Sequence, residues 1–471
     1  IEEMCHPYKL VKRASRALSF PKKYRLTQFV ERSYDRAKIN IPEKLQTSHL
    51  EHNASFVKGL VDKVGDRNPI FKVRKILGTG SCYQNTKIIR PDETDYLLVL
   101  SISNRVKTVW EWANVYSIEI CDKSLLFKLE QHGISEDVNG KNCCNSLHLV
   151  NEFKNLVNGC LNDHQDVLGV SYKGDDILSW KHTPASWDAF KKHNHLQQIY
   201  GETLSIKSKW RRDIRDPTLE KDQVVLDRMN HGPSVRVRIG GPLCTTDLDL
   251  CLCIDSPQIE NSSERYVAVP VSKLGEPYWT LSSYEDPIKL RLDEDHRKIL
   301  MVLKDLFSEC KNTPNPGNLA DSHNLKTFVL HHQERCLKRP AEERCLGNCL
   351  DDIVHHMFEK YNMRIDENNI SVTNTPSSLS DMIFPGVPLR ISDSDEYSSG
   401  LPVLFLYALM QLVKMDSPIS GHKIHSIDRW LIINEVNKYI IEKRHKWILP
   451  LSAMEHIKES LIKYKLRSAI S

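Results

Sequence analysis

Acidic side chains on two predicted strands have the types and spacing needed to bind divalent metal ions. Glu93 and Asp95 are two residues apart, so both side chains point to one face of a strand, and the apolar run 96–100 follows them directly. A second predicted strand, 246–255, carries Asp249 within an apolar alternating pattern. A carboxylate in so apolar a strand is costly unless it is paired or binds a metal.

The second strand separates its polar and apolar side chains by strict alternation. Leu248, Leu250, Leu252 and Ile254 share one face, whereas Asp247, Asp249, Cys251 and Cys253 share the other. Mg²⁺ prefers oxygen ligands, and three convergent carboxylates can hold two such ions ~3.5–4 Å apart, as phosphoryl-transfer enzymes do. Asp247 remains an alternative to Asp249 as the ligand.

A glycine-serine turn precedes the acidic pair. The segment Gly78-Thr79-Gly80-Ser81 follows a predicted strand, 70–77, and glycine lets backbone N–H groups approach phosphate oxygens. It is not a Walker A loop, because no Gly-Lys-Ser/Thr follows it. On its own, this tetrapeptide is usually a simple turn.

Segments with helical apolar spacing lie before and after these strands in the sequence, and they make up most of the second half of the chain. Apolar spacing predicts a helix over 46–67 that ends at Asn68-Pro69, and strands over 96–102 and 234–239. After Trp279 the pattern predicts helices at 295–307, 323–333, 346–361 and 401–415, and residues 103–230 show only mixed helix and strand. We therefore predict an α/β (α+β) fold, with a mixed sheet lobe followed by a helical lobe.

Composition excludes several classes of protein. Of the 471 residues, 40% are hydrophobic and 27% are charged, which is typical of a globular protein. The longest apolar run, 401–410, is shorter than the ~20 residues of a membrane span, and no secretory signal is recognised, so no membrane partner is expected. Thirteen cysteines without CxxC pairs favour a reducing compartment, the cytosol or the nucleus, and we expect a cytoplasmic location.

Positive charge is concentrated at the start of the chain. Residues 1–50 have a net charge of +6, against +4 for the whole chain, and a second basic cluster lies at 207–212. Basic segments attract polyanions such as nucleic acid. A solvated helix face explains this feature equally well.

The order of these features resembles the nucleotidyltransferase superfamily, and more narrowly the family of cyclic GMP–AMP synthase (cGAS) and the animal cGAS-like receptors. That order is a long helix, a Gly-Ser turn, Glu-x-Asp, a distant single Asp and a helical lobe. The resemblance covers residues 50–365 with gaps. It is carried by FVKGLVD (56–62), GTGSCY (78–83), ETD (93–95), DLCLCI (249–254), WTLS (279–282), SHNLKT (322–327) and CLGNCLD (345–351).

The resemblance implies a bilobal nucleotidyltransferase fold with a long spine helix and a helical C-terminal lobe. We accordingly divide the chain into a basic N-terminal segment (1–45), a nucleotidyltransferase core with the spine helix (46–275) and a helical lobe (276–471). The implied enzyme is activated by double-stranded RNA or DNA. It joins ATP and GTP, or other NTPs, into a cyclic dinucleotide that the STING receptor reads in innate immunity.

The resemblance also implies roles for individual residues. Glu93, Asp95 and Asp249 would hold two Mg²⁺ ions (Mn²⁺ is an alternative), with Asp249 helping to deprotonate the attacking ribose hydroxyl. The nucleotides would be bound by Gly80, Ser81, Lys298, Ser322 and His323. Double-stranded nucleic acid, on which two copies of the chain could dimerise, would contact Lys58, Lys63, Arg67, Lys72, Arg74 and Lys75.

The sequence departs from the family in its long span between Asp95 and Asp249, in the region after 366, which has no counterpart, and at the following places. His323 stands where the family has a base-stacking aromatic residue, and Thr280 stands where it has an arginine, so both changes affect the choice of nucleobase. The zinc-binding insertion that grips DNA in vertebrate cGAS is missing between Trp279 and Asp295, which favours RNA as the activator. No structural zinc is therefore expected.

Several histidines and cysteines in the second half of the chain are candidate ligands for a separate zinc site. The spacing of these residues is loose, which favours core or surface roles over zinc binding. They are His331, His332, Cys336, Cys345, Cys349, His355 and His356.

Two other functions remain open from the sequence. One is a catalytically silent relative that binds nucleotides or protein partners as a scaffold. The other is a template-independent transferase that extends RNA tails.

Overall fold

Helices and strands of both kinds fill the part of the chain that can be described. This computed structural model describes residues 20–112, 115–176, 219–231, 233–256, 266–270, 278–283, 291–308, 322–360, 363–365, 369–373, 400–415, 446–450 and 455–459, with the single residues 379, 382, 432 and 436. The basic residues before 20, the cluster 207–212 and nearly all of the stretch 373–399 lie outside these ranges.

Each helix that the apolar periodicity predicted, from residue 43 onward, is present, and its ends lie close to the predicted ones. The helices are α1 (Phe20–Ala37), α2 (Glu43–Arg67), α3 (Gly80–Tyr83), α4 (Lys123–Gln131), α5 (Ser146–Asp163), α6 (Gln165–Leu168), α7 (Glu294–Ser308), α8 (Ser322–Cys336), α9 (Leu346–Lys360) and α10 (Gly400–Lys414). Within the described residues, no helix is both long enough and apolar enough to cross a membrane.

The strands form one large sheet and one small sheet. They are β1 (Val73–Thr79), β2 (Glu93–Leu100), β3 (Val106–Trp112), β4 (Val115–Ile120), β5 (Ser135–Val138), β6 (Lys141–Cys144), β7 (Ser171–Asp176), β8 (Gln223–His231), β9 (Ser234–Gly240), β10 (Thr245–Ser256), β11 (Tyr266–Pro270), β12 (Trp279–Ser283), β13 (Met363–Ile365), β14 (Asn369–Thr373) and β15 (Lys446–Pro450). The predicted α+β class is confirmed.

Contacts divide the chain into two compact units. The sheet unit comprises Ile39–Arg291 and Ser380–Val387, and the helical unit comprises Ile1–Lys38, Leu292–Leu379 and Pro388–Ser471. The boundaries therefore differ from those drawn at 45 and 275. One reason is that β12 pairs with β11 and β4, and the other is that α1 packs within the helical unit.

The sheet unit is built around the long strand β10. Its first part pairs in parallel with β2 and its end pairs antiparallel with β11, while β9 runs antiparallel along its other edge. The aliphatic face of β10, including Leu248 and Leu250, is fully buried in a core that also contains Val57 and Leu60 of α2. Cys251 and Cys253 lie in a separate small cluster, so the predicted alternation is confirmed.

The helical unit packs α1 against α7, α9 and α10. Phe29 and Val30 of α1 are completely buried, and the Arg25 guanidinium donates a hydrogen bond of 3.0 Å to the Lys414 carbonyl at the end of α10. A basic side chain at a helix C-terminus satisfies an unpaired carbonyl and the helix dipole. This unit also contains the antiparallel sheet β13-β14-β15, which the prediction of a helical lobe did not include.

Candidate functional site

The pairing of four neighbouring strands sets the acidic residues in register. In the parallel pair β2–β10, Asp95 lies opposite Asp249, and Glu93 lies opposite Asp247. On the far side of β10, Arg236 of β9 lies opposite Asp249. A single row thus crosses the sheet from Thr79 on β1, which pairs with Asp95, through the two aspartates to Arg236.

Three carboxylates converge at this point. Glu93, Asp95 and Asp249 each offer an oxygen, and these oxygens lie within 4.8 Å of one another. The three residues proposed from their sequence spacing are thus brought together. Asp247, the alternative ligand, does not belong to this group. It accepts hydrogen bonds of 2.6 and 3.2 Å from Arg238, and its Oδ2 lies 3.4 Å from Arg236 Nη1.

Gly80 lies against this cluster because β1 ends beside β2. Its φ of +73° is unfavourable for other residues, and a β-carbon built on it would overlap Oδ2 of Asp95. Only glycine therefore allows the start of α3 to approach the carboxylate so closely. Ser81 follows within the same short helix, where its carbonyl accepts a hydrogen bond of 2.9 Å from the Thr86 N–H.

Two basic side chains hold the outer acids of the cluster. Arg236 donates hydrogen bonds of 2.7 Å to both oxygens of Asp249, and its Nη2 lies 3.5 Å from Glu93. Lys87 approaches Glu93 at 3.0 Å and Asp92 at 3.1 Å. Burial alone would lower the pKa of Lys87, but the negative charges of Glu93 and Asp92 outweigh it and raise that pKa.

Asp95 is the acid with the least compensation. Among the described residues it has no hydrogen-bond or ion-pair partner. Burial, followed by the charges of Glu93 and Asp249, raises the pKa of Asp95 to about 7. Burial also raises the pKa of Asp249, although Arg236 opposes that shift. The cluster therefore concentrates negative charge that its own basic groups balance only in part, which is the environment that a divalent cation stabilises.

A buried histidine of α2 ties the starts of the two acidic strands together. His49 Nε2 lies 2.9 Å from the Thr246 hydroxyl and 3.2 Å from the Pro91 carbonyl, and His49 Nδ1 accepts a hydrogen bond of 3.4 Å from the Leu243 N–H. These contacts define the tautomer that carries its proton on Nε2. Burial lowers the pKa of His49, so the neutral ring is favoured. Thus α2 fixes the strand ends beside the acidic cluster.

The remaining predicted nucleotide-binding residues belong to the helical unit. Lys298 of α7 forms an ion pair of 2.9 Å with Glu294, and its ammonium group lies 5.7 Å from the centre of the Tyr34 ring. Ser322 and His323 form the start of α8 and are half-buried. Their contacts with nucleotide remain predictions.

The predicted nucleic-acid surface lies on α2, on Lys72 and on the first residues of β1. Its basic residues are exposed except Lys63, which is half-buried. Three of them form ion pairs: Lys58 with Asp62 at 2.7 Å, Arg67 with Asp163 at 2.9 Å, and Arg74 with Asp255. These pairs lower the net positive charge of the surface. Its role in binding nucleic acid stays a prediction.

Sequence reasoning missed the basic partners of the acids. Arg236 and Arg238 are two residues apart on a predicted strand, so their presence on one face was readable from the alternation. What the sequence did not reveal was that this strand is the direct neighbour of β10. Lys87 and His49 carried no distinguishing pattern.

Comparisons with known proteins do not assign the chain to a family. No known family model matches it, and no curated protein matches it at a significant level.

Proposed function

We propose that this chain is a metal-dependent nucleotidyltransferase that makes a cyclic dinucleotide from NTPs when double-stranded nucleic acid, preferentially RNA, activates it. The observation that carries the proposal is the convergence of Glu93, Asp95 and Asp249, with Gly80 held against Asp95. The resemblance to the cGAS-like receptor family supplies the reaction class.

The donor set fits Mg²⁺. Three carboxylate oxygens within 4.8 Å of one another are the ligands that this ion prefers, and the incomplete charge compensation at Asp95 leaves room for positive charge. Two ions bound there would polarise the α-phosphate and stabilise both the attacking and the leaving oxygen.

The chain's own residues would carry out the remaining tasks. Asp249 would orient the attacking ribose hydroxyl and accept its proton, while the backbone at Gly80 and the hydroxyl of Ser81 would bind the triphosphate. The hydroxyl oxygen bonds to the α-phosphorus, the bond to the β-phosphate oxygen breaks, and pyrophosphate leaves. A second transfer of the same kind closes the ring of the linear dinucleotide.

The proposed role follows from this product. A cyclic dinucleotide made in the cytoplasm in response to double-stranded RNA would serve as a second messenger read by STING in antiviral immunity. The triphosphate contacts of the helical unit would come from Lys298 and Ser322, and the base contact from His323.

Product analysis tests the proposal directly. The purified chain is incubated with Mg²⁺, the four NTPs and either double-stranded RNA or DNA, and the products are identified by mass spectrometry. We expect a cyclic dinucleotide with at least one activator, and none from the double variant Asp95→Asn with Asp249→Asn. Elongated linear products would instead identify a tailing transferase. Absence of any product, while a reference synthase is active in the same buffer, would overturn the proposal.

One contact favours a second candidate function, the silent scaffold. Arg236 already satisfies both oxygens of Asp249, as a permanent cation would. A scaffold would bind nucleotide or a protein partner without turnover, and its cellular signalling would be the same in Asp95→Asn as in the native chain. The proposed enzyme loses its signalling in that variant.

A further inference from the structure

Four side chains from three helices of the helical unit converge on one buried point. They are His296 on α7, His332 and Cys336 on α8, and Cys349 on α9. One ligand atom from each lies within 4.8 Å of those of the other three. All four residues are at most 3% exposed.

Helix geometry explains how two of these residues come together. His332 and Cys336 are four residues apart on α8, which places them one above the other on the same helix face. Cys349 lies in the first turn of α9 and His296 in the first turn of α7, so each neighbouring helix contributes one residue. Three separate helices are thereby joined at one point.

The distance between the sulfur atoms matches metal coordination better than a disulfide. Sγ of Cys336 lies 3.6 Å from Sγ of Cys349. A disulfide bond is about 2.05 Å long. Two thiolates on one tetrahedral zinc ion, each about 2.3 Å from the metal, are separated by about 3.8 Å.

The two histidines have buried ring nitrogens that no described residue satisfies. Nε2 of His296 and both ring nitrogens of His332 are inaccessible to solvent and find no hydrogen-bond partner in the part of the chain that the structure describes. An unpaired buried polar atom costs ~1–3 kcal/mol, so its persistence calls for an explanation.

A carboxylate orients one of these rings. Nδ1 of His296 lies 2.8 Å from both carboxylate oxygens of Asp293, which leaves Nε2 as the outward ligand atom. Asp293 is itself fixed, because its N–H donates a hydrogen bond of 2.9 Å to Oε1 of Gln333, next to His332. Zinc-binding histidines commonly donate their second N–H to a carboxylate in this way.

We propose that His296, His332, Cys336 and Cys349 bind a structural zinc ion in a closed tetrahedral site. Two imidazoles and two thiolates are the donor set that selects zinc, and complete burial leaves no position for a substrate. The two thiols lose their protons to solvent as the ion binds, and the ion then links α7, α8 and α9. This inference departs from the sequence-based expectation of no structural zinc and from the preference for core or surface roles at His332, Cys336 and Cys349. It does not depend on the proposed enzymatic function.

Metal content of the full chain tests the inference. We expect about one zinc ion per chain in protein purified without chelators, by elemental analysis. Cys336→Ser and Cys349→Ser are expected to reduce this to below about a tenth of an ion per chain. Cys345→Ser is the matched control, because Cys345 lies four residues before Cys349 and outside the cluster. Equal zinc in all four proteins, or none in the native chain, would overturn the inference.

A second measurement on the native chain avoids variants that fail to fold. Replacing the metal with Co²⁺ is expected to give the intense visible absorption of a tetrahedral cobalt–thiolate site, and X-ray absorption at the zinc edge is expected to show two sulfur and two nitrogen ligands. Coordination by oxygen alone would contradict the assignment. So would a Cys336–Cys349 disulfide detected by mass spectrometry of protein kept under non-oxidising conditions.

Discussion

Arg236 and Asp249 lie directly opposite each other on neighbouring antiparallel strands, and the guanidinium donates two hydrogen bonds of 2.7 Å to the carboxylate. Asp249 in turn lies opposite Asp95 across the parallel pair β2–β10. A basic residue and two acids therefore share one row of the sheet. This row sets how much positive charge the acidic cluster can still accept.

Removing the guanidinium is expected to strengthen divalent cation binding. Arg236→Gln eliminates a positive charge that repels a cation near Asp249, so the affinity for Mn²⁺ measured by calorimetry is expected to rise several-fold. The metal-free variant is expected to lose ~3–5 kcal/mol of unfolding free energy, because Asp249 loses its partner at a buried site.

Arg238→Gln is the control for this experiment. Arg238 bonds to Asp247, outside the cluster, so its loss destabilises the fold but leaves Mn²⁺ affinity nearly unchanged. Equal effects of the two substitutions on Mn²⁺ affinity would contradict the assignment.

The contact between Gly80 and Asp95 predicts an unusually costly alanine substitution. Gly133→Ala is the reference variant, because it introduces a β-carbon at a similar positive φ, +63°, but into open space. It is expected to cost about 1 kcal/mol of backbone strain. Gly80→Ala adds an overlap with the Asp95 carboxylate, so it is expected to cost at least about 1 kcal/mol more. Urea unfolding measures both. Equal losses of unfolding free energy in the two variants would show that the Asp95 carboxylate moves aside without cost.

Burial of His49 predicts that the protein loses stability in mild acid. Its folded pKa lies below the unfolded value of 6.5, so unfolding takes up a proton once the pH falls below about 6.5. The contribution of His49 to stability is constant above that pH and decreases below it, by at most about 1.4 kcal/mol per pH unit.

The His49→Gln variant isolates this contribution. Its amide donates to Thr246 or Pro91 without titrating, so the decrease in unfolding free energy between pH 6.5 and 5 is expected to be smaller than in the native chain. His356, whose pKa burial lowers to about 4, adds to this slope in both proteins, and Asp95, whose pKa is raised to about 7, opposes it in both. Identical slopes would refute the role given to His49.

Much of the candidate site was predictable because strand alternation is a local property. The spacing of Glu93 and Asp95 and the alternation around Asp249 correctly predicted strands and faces, since a side chain's face depends only on its position along its own strand. The pairing of β2 with β10 was not predictable from composition. Strands 150 residues apart meet through tertiary packing.

The features that the sequence missed depend on such distant contacts. Helix α1 begins in a basic segment. That segment was interpreted by its charge alone, so its apolar residues Leu26, Phe29 and Val30, which are buried, did not lead to a predicted helix. His296 joins His332 and the two cysteines only because α7 packs on α8 and α9. Its spacing from them in the sequence is not that of a zinc motif, so spacing alone argued against the site.

The predicted nucleic-acid surface is tested by charge reversal. Lys63→Glu with Lys72→Glu is expected to weaken binding of double-stranded RNA and to abolish activation, because both residues lie on the proposed surface. The salt dependence of binding is expected to fall as well, since each lost phosphate contact removes about 0.9 from the log–log slope.

Lys123→Glu with Lys128→Glu is the matched control on the exposed face of α4, in the same unit. It makes the same change in net charge and is expected to retain activation. A loss of the same size in both double variants would mean that net charge, rather than this surface, governs binding.

The most direct test of the account is calorimetric titration of Mn²⁺ into the native chain and two variants. We expect saturable binding to the native chain, its loss in Asp95→Asn, and its retention in Asp247→Asn, because only Asp95 belongs to the convergent group. Equal binding to all three proteins, or none to the native chain, would contradict a metal centre formed by Glu93, Asp95 and Asp249.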